Sequence, residues 1–89
     1  MRKFDSLLKG YLLGYLKETR KSLLGVTQEK MSALLRITVR SYSDLERGEY
    51  CFSATTLLLF LGLLPDEMIV EIVRGFSKEV IKFEEKEVA

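Results

Sequence analysis

A short motif occurs twice in the middle of this chain, the second copy eleven residues after the first. Thr27 and Thr38 are both suited to cap a helix, because a threonine hydroxyl accepts a hydrogen bond from a free backbone N–H of the first turn. Each is preceded by an aliphatic residue, Val26 or Ile37, and is followed four positions later by a large side chain, which is the arrangement of a hydrophobic staple. The motif predicts two short helices joined by a connector so short that it forces a sharp angle.

The second of these helices has one apolar side and one polar side. We expect it over residues 39 to about 47, ending at Gly48, which readily adopts the left-handed conformation that closes a helix. Tyr42 and Leu45 point one way. The opposite side carries only polar side chains: Arg40, Ser43, Asp44 and Arg47. This pattern is typical of an amphipathic helix that lies on a core with its hydrophilic side outward.

Three further helices are predicted around this pair. Apolar residues at three- and four-residue spacing predict a first helix over about residues 6–22. Ser53 caps a leucine-rich helix that we expect over residues 54–64. Pro65 ends that helix and is well placed to start a last one, in which the pattern leaves open whether Gly75 makes a break.

The composition leaves little room for catalysis. The chain has 89 residues, no histidine and a single cysteine, Cys51, so it lacks the commonest general base and any cysteine-rich metal centre. It has no glycine-rich phosphate loop, and its acidic residues read as solvated helix faces. We therefore expect a binding protein and not an enzyme, with no metal, no cofactor and no small-molecule ligand. The longest apolar run, residues 57–64, is too short for a membrane span, so we expect a cytoplasmic protein.

The segment TQEKMSALLRITVRSYSDLERGEY, residues 27–50, resembles the DNA-binding domain of the Cro/lambda-repressor type, found in XRE-like transcriptional regulators. The resemblance rests on an ordered set of marks: Thr27 and Gln28, Met31, Ser32 and Leu35, Ile37 and Thr38, and the run from Leu45 to Gly48. It implies an all-α fold, a compact five-helix lambda-repressor-like domain with a helix-turn-helix at about 27–48. Residues 1–64 would form the DNA-binding core, and residues 65–89 a long C-terminal helix used for dimerisation.

The same resemblance implies that the third helix enters the major groove of double-stranded DNA, usually in a homodimer on a palindromic site. Carried over by position, Val39, Arg40 and Asp44 would read bases. Gln28 would touch a phosphate, and the remaining candidates would lie close to the backbone or beside the reading positions: Thr38, Ser41, Ser43 and Arg47. Arg40 can bind guanine in a bidentate manner. For Asp44 two interpretations stay open, a base contact or a pair with Arg40 on the free helix.

Three positions depart from the family pattern or extend it. Arg36 stands where the turn usually has glycine, so it must tolerate that backbone or bend the turn differently. Ser32 replaces the more common alanine, and its hydroxyl needs a carbonyl on its own helix. Glu46 is the acid that usually pairs with a basic residue late in the first helix. Arg20 and Lys21 are both candidates, because the loop that follows is one residue longer than usual.

The leucine-rich fourth helix needs cover on two sides, because it has no polar face. Leu59 and Gly62 stand where such domains usually show a polar side chain to water. We expect the cover to come from a second copy, with an interface that includes Leu59, Leu63, Ile69, Val73 and Phe76. The alternative is that the fifth helix folds back on its own chain.

The net charge of +1 conceals an uneven distribution. Residues 1–50 carry ten Lys+Arg and six Asp+Glu, a balance of +4, while residues 51–89 carry four and seven, a balance of −3. The basic half is the predicted reading half, so the total does not exclude a DNA-binding transcriptional regulator. An alternative is an antitoxin-like or anti-repressor interaction module that keeps the fold without reading DNA. Asp44 and the apolar C-terminal half favour that alternative. The sequence does not indicate which DNA site, or operator, the protein would bind.

Overall fold

The computed structural model describes residues 3–88, which form five helices and no strand. Helix α1 is Asp5–Glu18 and continues directly into a π-helical segment, Thr19–Leu24; the others are α2 (Gln28–Leu35), α3 (Val39–Glu46), α4 (Ala54–Leu61) and α5 (Asp66–Val88). The predicted all-α, five-helix fold is confirmed. Within the described range, no helix combines the length and the apolar character that crossing a membrane requires.

The three short helices all begin at the predicted caps. The hydroxyls of Thr27, Thr38 and Ser53 each accept a hydrogen bond from the backbone N–H three residues further on, at 3.1, 3.0 and 3.2 Å. All three capping residues have extended backbone, as a cap requires. Each such cap typically stabilises a helix by about 1 kcal/mol.

The turn between α2 and α3 contains a non-glycine residue in the left-handed conformation. Arg36 has φ 59° and ψ 40°, and it is the one non-glycine residue with positive φ among residues 3–88. Its N–H bonds the Ala33 carbonyl at 3.2 Å, and its guanidinium Nη1 donates to the Leu34 carbonyl at 2.6 Å. The expectation that Arg36 tolerates the backbone of the family's glycine is confirmed, and the contact with Leu34 helps to offset the cost of that backbone.

The extra residue after the first helix lies inside the helix and not in the loop. The chain is helical to Leu24, two residues beyond the predicted end, because the π-helical segment Thr19–Leu24 takes up one residue more per turn than an α-helix does. Gly25 then ends the helix in the left-handed conformation, with φ 60°. The backbone N–H of Val26 bonds the Arg20 carbonyl at 3.0 Å and completes the cap.

The core lies between all five helices. Its buried apolar side chains are Leu12, Leu16, Met31, Leu35, Tyr42, Leu45, Phe60, Leu64 and Ile72. The two helices of the central motif supply four of these, and both therefore pack on the body of the domain by their apolar sides. Burial of a large apolar side chain stabilises a fold by roughly 1.5–3 kcal/mol, so this cluster is what holds the motif in place.

Helix α5 runs back along α1 of the same chain in the opposite direction. The rings of Phe4 and Phe83 meet edge to face with centroids 5.9 Å apart. Beside them Lys3 Nζ lies 2.8 Å from Glu87 Oε1. The fifth helix therefore folds back on its own chain, which was the alternative to cover of the fourth helix by a second copy, and these contacts are made along α1. The homodimer remains a separate question.

Helix α5 has no break at Gly75. The residue is helical, and a Cβ built there would collide with the hydroxyl of Tyr11. That hydroxyl donates to the Ile72 carbonyl at 2.8 Å, and the Tyr11 ring packs on Phe76 with centroids 5.5 Å apart. Gly75 therefore provides the space in which α1 contacts α5.

Helix α4 ends at Leu61, three residues before the predicted end. Leu59 packs against the core of its own chain, so the expectation that it stands at a solvent-facing place is wrong. Leu58 faces water instead and is 68% exposed. Neighbouring residues of a helix point about 100° apart, so an error of one position exchanges a packed side chain for an exposed one. Leu63 and Ile69 are also partly buried against that core.

Candidate nucleic-acid interface

Helix α3 presents one side to the core and the other to solvent. Tyr42 and Leu45 are buried, as predicted from the spacing. On the other side Arg40 is exposed and Val39 is 43% exposed. The predicted amphipathic helix with an outward polar face is therefore present, and it is available to a large partner such as DNA.

The last residue of α3, Glu46, connects three helices through one carboxylate. Arg20 donates to it twice, from Nε at 2.7 Å and from Nη2 at 3.1 Å. Tyr42 Oη donates at 2.7 Å and Gln28 Nε2 at 2.9 Å. Of the two predicted partners, the structure selects Arg20 over Lys21, and Arg20 lies in the π-helical segment. The carboxylate thus fixes α3 to both α1 and α2.

The Glu46 carboxyl group stays ionised although it is buried. It is 6% exposed, and burial by itself would raise its pKa. Hydrogen bonds from Arg20, Tyr42 and Gln28 together outweigh burial and lower the pKa to about 2. The pKa of Tyr42 is raised, first by burial and then by its hydrogen bond to Glu46. At neutral pH the network is therefore a bidentate ion pair, the geometry in which arginine binds carboxylate most strongly.

Gln28 does not point freely into solvent. Its amide nitrogen donates to Glu46 Oε1 at 2.9 Å, at the C-terminal end of α3. An amide group has two N–H donors, so one donor remains for a phosphate oxygen. Its predicted phosphate contact stays a prediction, and the structure adds a second role in which Gln28 joins α2 to α3.

The first turn of α3 is rigid. The Thr38 hydroxyl accepts from the Ser41 N–H and donates to Ser41 Oγ at 2.9 Å. Tyr50 Oη donates to the Ser41 carbonyl at 3.1 Å and ties the following loop to the same turn. Sequence reasoning missed this role of Tyr50, and the only signal was its place two residues after Gly48. Thr38 and Ser41 therefore stand at a fixed edge of the outward face.

The pair between Arg40 and Asp44, one of the two interpretations left open for Asp44, does not form in the described residues. Asp44 pairs with Arg47, one turn further along α3. Arg47 Nη1 also donates to Ser43 Oγ at 3.1 Å. With the acid nearer the N-terminus and the base nearer the C-terminus, this pair is aligned favourably with the helix dipole, whereas Arg40 and Asp44 have the reverse order. The side chain of Arg40 makes no ion pair or hydrogen bond within residues 3–88.

The structure brings most of the predicted site residues together. One continuous outward surface, which we call the α3 face, consists of Val39, Arg40, Ser43, Asp44 and Arg47, with Thr38 and Ser41 at its N-terminal edge. Gln28 lies apart, beside the C-terminal end of the helix. Among the residues that the structure describes, no group of His, Cys, Asp or Glu could hold a metal ion.

Comparison with known families assigns the chain that carries this face to a family. A protein-family model described as helix-turn-helix matches residues 16–65, more than half of the chain. The chain belongs to the helix-turn-helix family of the Cro/lambda-repressor type. The match runs from the end of α1 through α4, and so includes the α3 face and the whole Glu46 network. This helix-turn-helix protein is a DNA-binding regulator. Neither the comparison with curated proteins nor that with solved structures found a match.

Proposed function

We propose that this helix-turn-helix protein binds double-stranded DNA sequence-specifically, with α3 in the major groove and two copies on a palindromic site. The observation that carries the proposal is the contrast on α3. The helix is fixed at both ends, by Thr38 and Glu46, while Arg40 projects from its outward side without a partner among the described residues. An arginine on a rigid helix loses little conformational freedom when it meets a base edge.

The individual side chains suit different parts of the groove. Arg40 is assigned to a guanine, whose O6 and N7 accept both of its N–H groups. Val39, which is 43% exposed, is assigned to a thymine methyl group. Arg47 and Asp44 neutralise one another in the free protein. On DNA, Arg47 is free to turn to a phosphate while Asp44 meets a cytosine amino group.

The distribution of charge along the chain supports placing α3 against DNA. The balance of +4 in residues 1–50 lies in the half that contains α2 and α3, and the whole balance of −3 in residues 51–89 lies on α5. Lys30 on α2 and Arg36 in the turn before α3 are exposed and contribute to the positive charge of that first half, although sequence reasoning did not include them. We accordingly assign residues 1–64 to DNA binding and residues 65–89 to dimerisation.

The dimerisation residues predicted from sequence differ in what they offer a partner. Val73 is 56% exposed. Leu59, Leu63, Ile69 and Phe76 are partly buried, and the first three pack on the core of their own chain. We propose that the homodimer uses Val73 together with exposed neighbours and reaches the other four only at their edges. A two-fold protein axis then matches the two-fold axis of a palindrome.

Selection of bound duplexes from a random library tests base reading and half-site spacing together. On the selected site, Arg40→Ala should cost about 1–3 kcal/mol and relax the preference at one base position. Lys30→Ala should instead weaken binding to all sequences alike, because a phosphate contact carries no sequence information. Lys82→Ala, on α5, is the matched control and should leave affinity unchanged.

Two outcomes would overturn the proposal. The first is equal affinity of the protein and its Arg40→Ala variant for the selected duplex. The second is the absence of binding to any duplex at low salt, because a protein that contacts several phosphates must bind non-specifically there and lose affinity steeply as salt rises. The second outcome would instead favour an interaction module that has kept the fold.

A further inference from the structure

Helix α5 carries a second apolar stripe in addition to the side that packs on α1. Its six positions are Val70, Val73, Ser77, Ile81, Glu84 and Val88, of which Ser77 and Glu84 are polar. They follow one another at three- and four-residue steps that average 3.6, so they form one straight line along the helix. Val70, Val73, Ile81 and Val88 are 50, 56, 55 and 88% exposed. Ile72, by contrast, is 3% exposed and marks the side that faces the core.

We infer that this stripe is the dimer contact of the proposed homodimer and that the two α5 helices pair antiparallel, centred near Glu79. In that register Val70 of one copy lies against Val88 of the partner subunit, and Arg74 lies against Glu84 and Glu85 of the partner subunit. By symmetry both contacts occur twice. The inference rests on the homodimer in the proposed function and adds the helix, the direction and the register.

Charge distinguishes the antiparallel pairing from the parallel one. Near the stripe, Arg74 and Lys78 lie in the middle of α5, whereas Glu84 and Glu85 lie toward its end. A parallel pair would set the acidic ends side by side. An antiparallel pair sets each acidic end against the basic middle of the other helix. Within residues 3–88 neither Arg74 nor Glu85 has an ion-pair partner in its own chain, so both are available.

The stripe is continuous with a second apolar feature. Val73 also lines a groove of about 260 Å³ between α1, α4 and α5, whose other walls include Leu57 and Phe76. A partner helix on the stripe would therefore lie beside the α4 wall of this groove, which Leu57 forms. One helix pair of this length buries less than a standard interface, so we expect dissociation in the micromolar range.

Sedimentation equilibrium over a range of concentrations tests the contact. Arg74→Glu and Glu85→Arg should each weaken dimerisation at least about tenfold, because each sets like charges against one another twice. The double variant Arg74→Glu/Glu85→Arg should restore it to within about threefold of wild type. Lys82→Glu is the control, because it makes the same charge change on another side of the same helix. Equal weakening by the Lys82 variant, or failure of the double variant to recover, would overturn the inference.

Cross-linking tests the direction. In a Cys51→Ser background, chains with Val70→Cys mixed with chains with Val88→Cys should form a disulfide between unlike chains. Neither variant should cross-link to itself, because antiparallel pairing sets like residues at these positions about 27 Å apart along the helix axis. Self-cross-linking of either variant would establish a parallel pair and refute the register.

The results separate this inference from the proposed function. If wild type dimerises and the α5 variants dimerise equally well, the homodimer stands and only the α5 contact is refuted. A wild-type chain that stays monomeric at about 200 µM refutes both the homodimer and its contact. DNA reading by α3 is judged independently, from the affinity of the Arg40→Ala variant for a single half-site.

Discussion

Replacing Glu46 by glutamine should change the acid sensitivity of the fold. The Glu46 carboxyl group has an ordinary pKa of 4.5 and a folded-state pKa of about 2. A group with a depressed folded pKa stabilises the fold above its unfolded pKa, and that stabilisation is lost as the pH falls toward the folded value. The shift corresponds to about 3 kcal/mol at neutral pH. The Glu46 side chain is 8% exposed, so screening by solvent reduces this stabilisation only slightly.

The assay is urea unfolding followed by circular dichroism, at pH 6 and at pH 3, for wild type and Glu46→Gln. We expect wild type to be more stable than the variant by about 3 kcal/mol at pH 6, and this gap to narrow by about 2 kcal/mol at pH 3. The gap narrows because pH 3 lies below the ordinary pKa of 4.5 but above the folded value of about 2, so the Glu46 carboxyl group is protonated in the unfolded chain while it stays mostly ionised in the fold. Glu18→Gln, an exposed carboxylate at the end of α1, is the control and should stay within about 0.5 kcal/mol of wild type.

A gap of the same size at pH 6 and pH 3 would refute the reasoning, since the stabilisation would then not depend on the ionised carboxylate. A second variant, Arg20→Met, leaves that carboxylate buried without its partner and should cost about 3–5 kcal/mol. The double variant Arg20→Met/Glu46→Leu should recover much of that loss, because both charges are removed together. Additive losses would show that the two residues act independently.

Three further substitutions test local features. Gly75→Ala should destabilise the wild-type fold but stabilise the fold in a Tyr11→Phe background, where the colliding hydroxyl is absent. A double-mutant cycle should give a coupling free energy of about 1 kcal/mol between the two positions, and additive effects would contradict the collision. Arg36→Gly should raise the free energy of unfolding by about 0.5–1 kcal/mol because glycine adopts positive φ without cost, whereas a loss would show that the arginine contact dominates. Thr38→Ala should cost about 1 kcal/mol and Thr55→Ala much less, as judged from urea midpoints.

The local features of the fold could be predicted because they depend on residues close together in the sequence. The caps at Thr27 and Thr38 and the left-handed Gly48 just after α3 each involve only a few neighbouring positions. The hydrogen bond from Ser32 Oγ to the Glu29 carbonyl, at 2.7 Å, belongs to the same class. Together these define the helix-turn-helix, which is why the family could be identified from about a quarter of the chain.

Features that depend on choices between near-equal alternatives could not be predicted. Asp44 has an arginine on either side, and only the packed helix shows that Arg47 is its partner. Leu58 and Leu59 are chemically identical, and their exposure depends on how α4 is rotated on the core. An additional residue fits equally well into a loop or into a π-helical segment, and Arg20 selects the second because its contact with Glu46 requires that position.

The antiparallel packing of α5 on α1 brings the two ends of the described chain close together. Lys3 and Glu87 touch, so both ends lie at one pole of the domain. Arg20, where α1 holds α3, is sixteen residues from Phe4 along one continuous helix, about 24 Å away at the helical rise. A dye or fused domain attached at either end would thus sit far from the C-terminal end of α3. A short linker joining the ends would bridge only a small gap, which is the geometry that circular permutation requires.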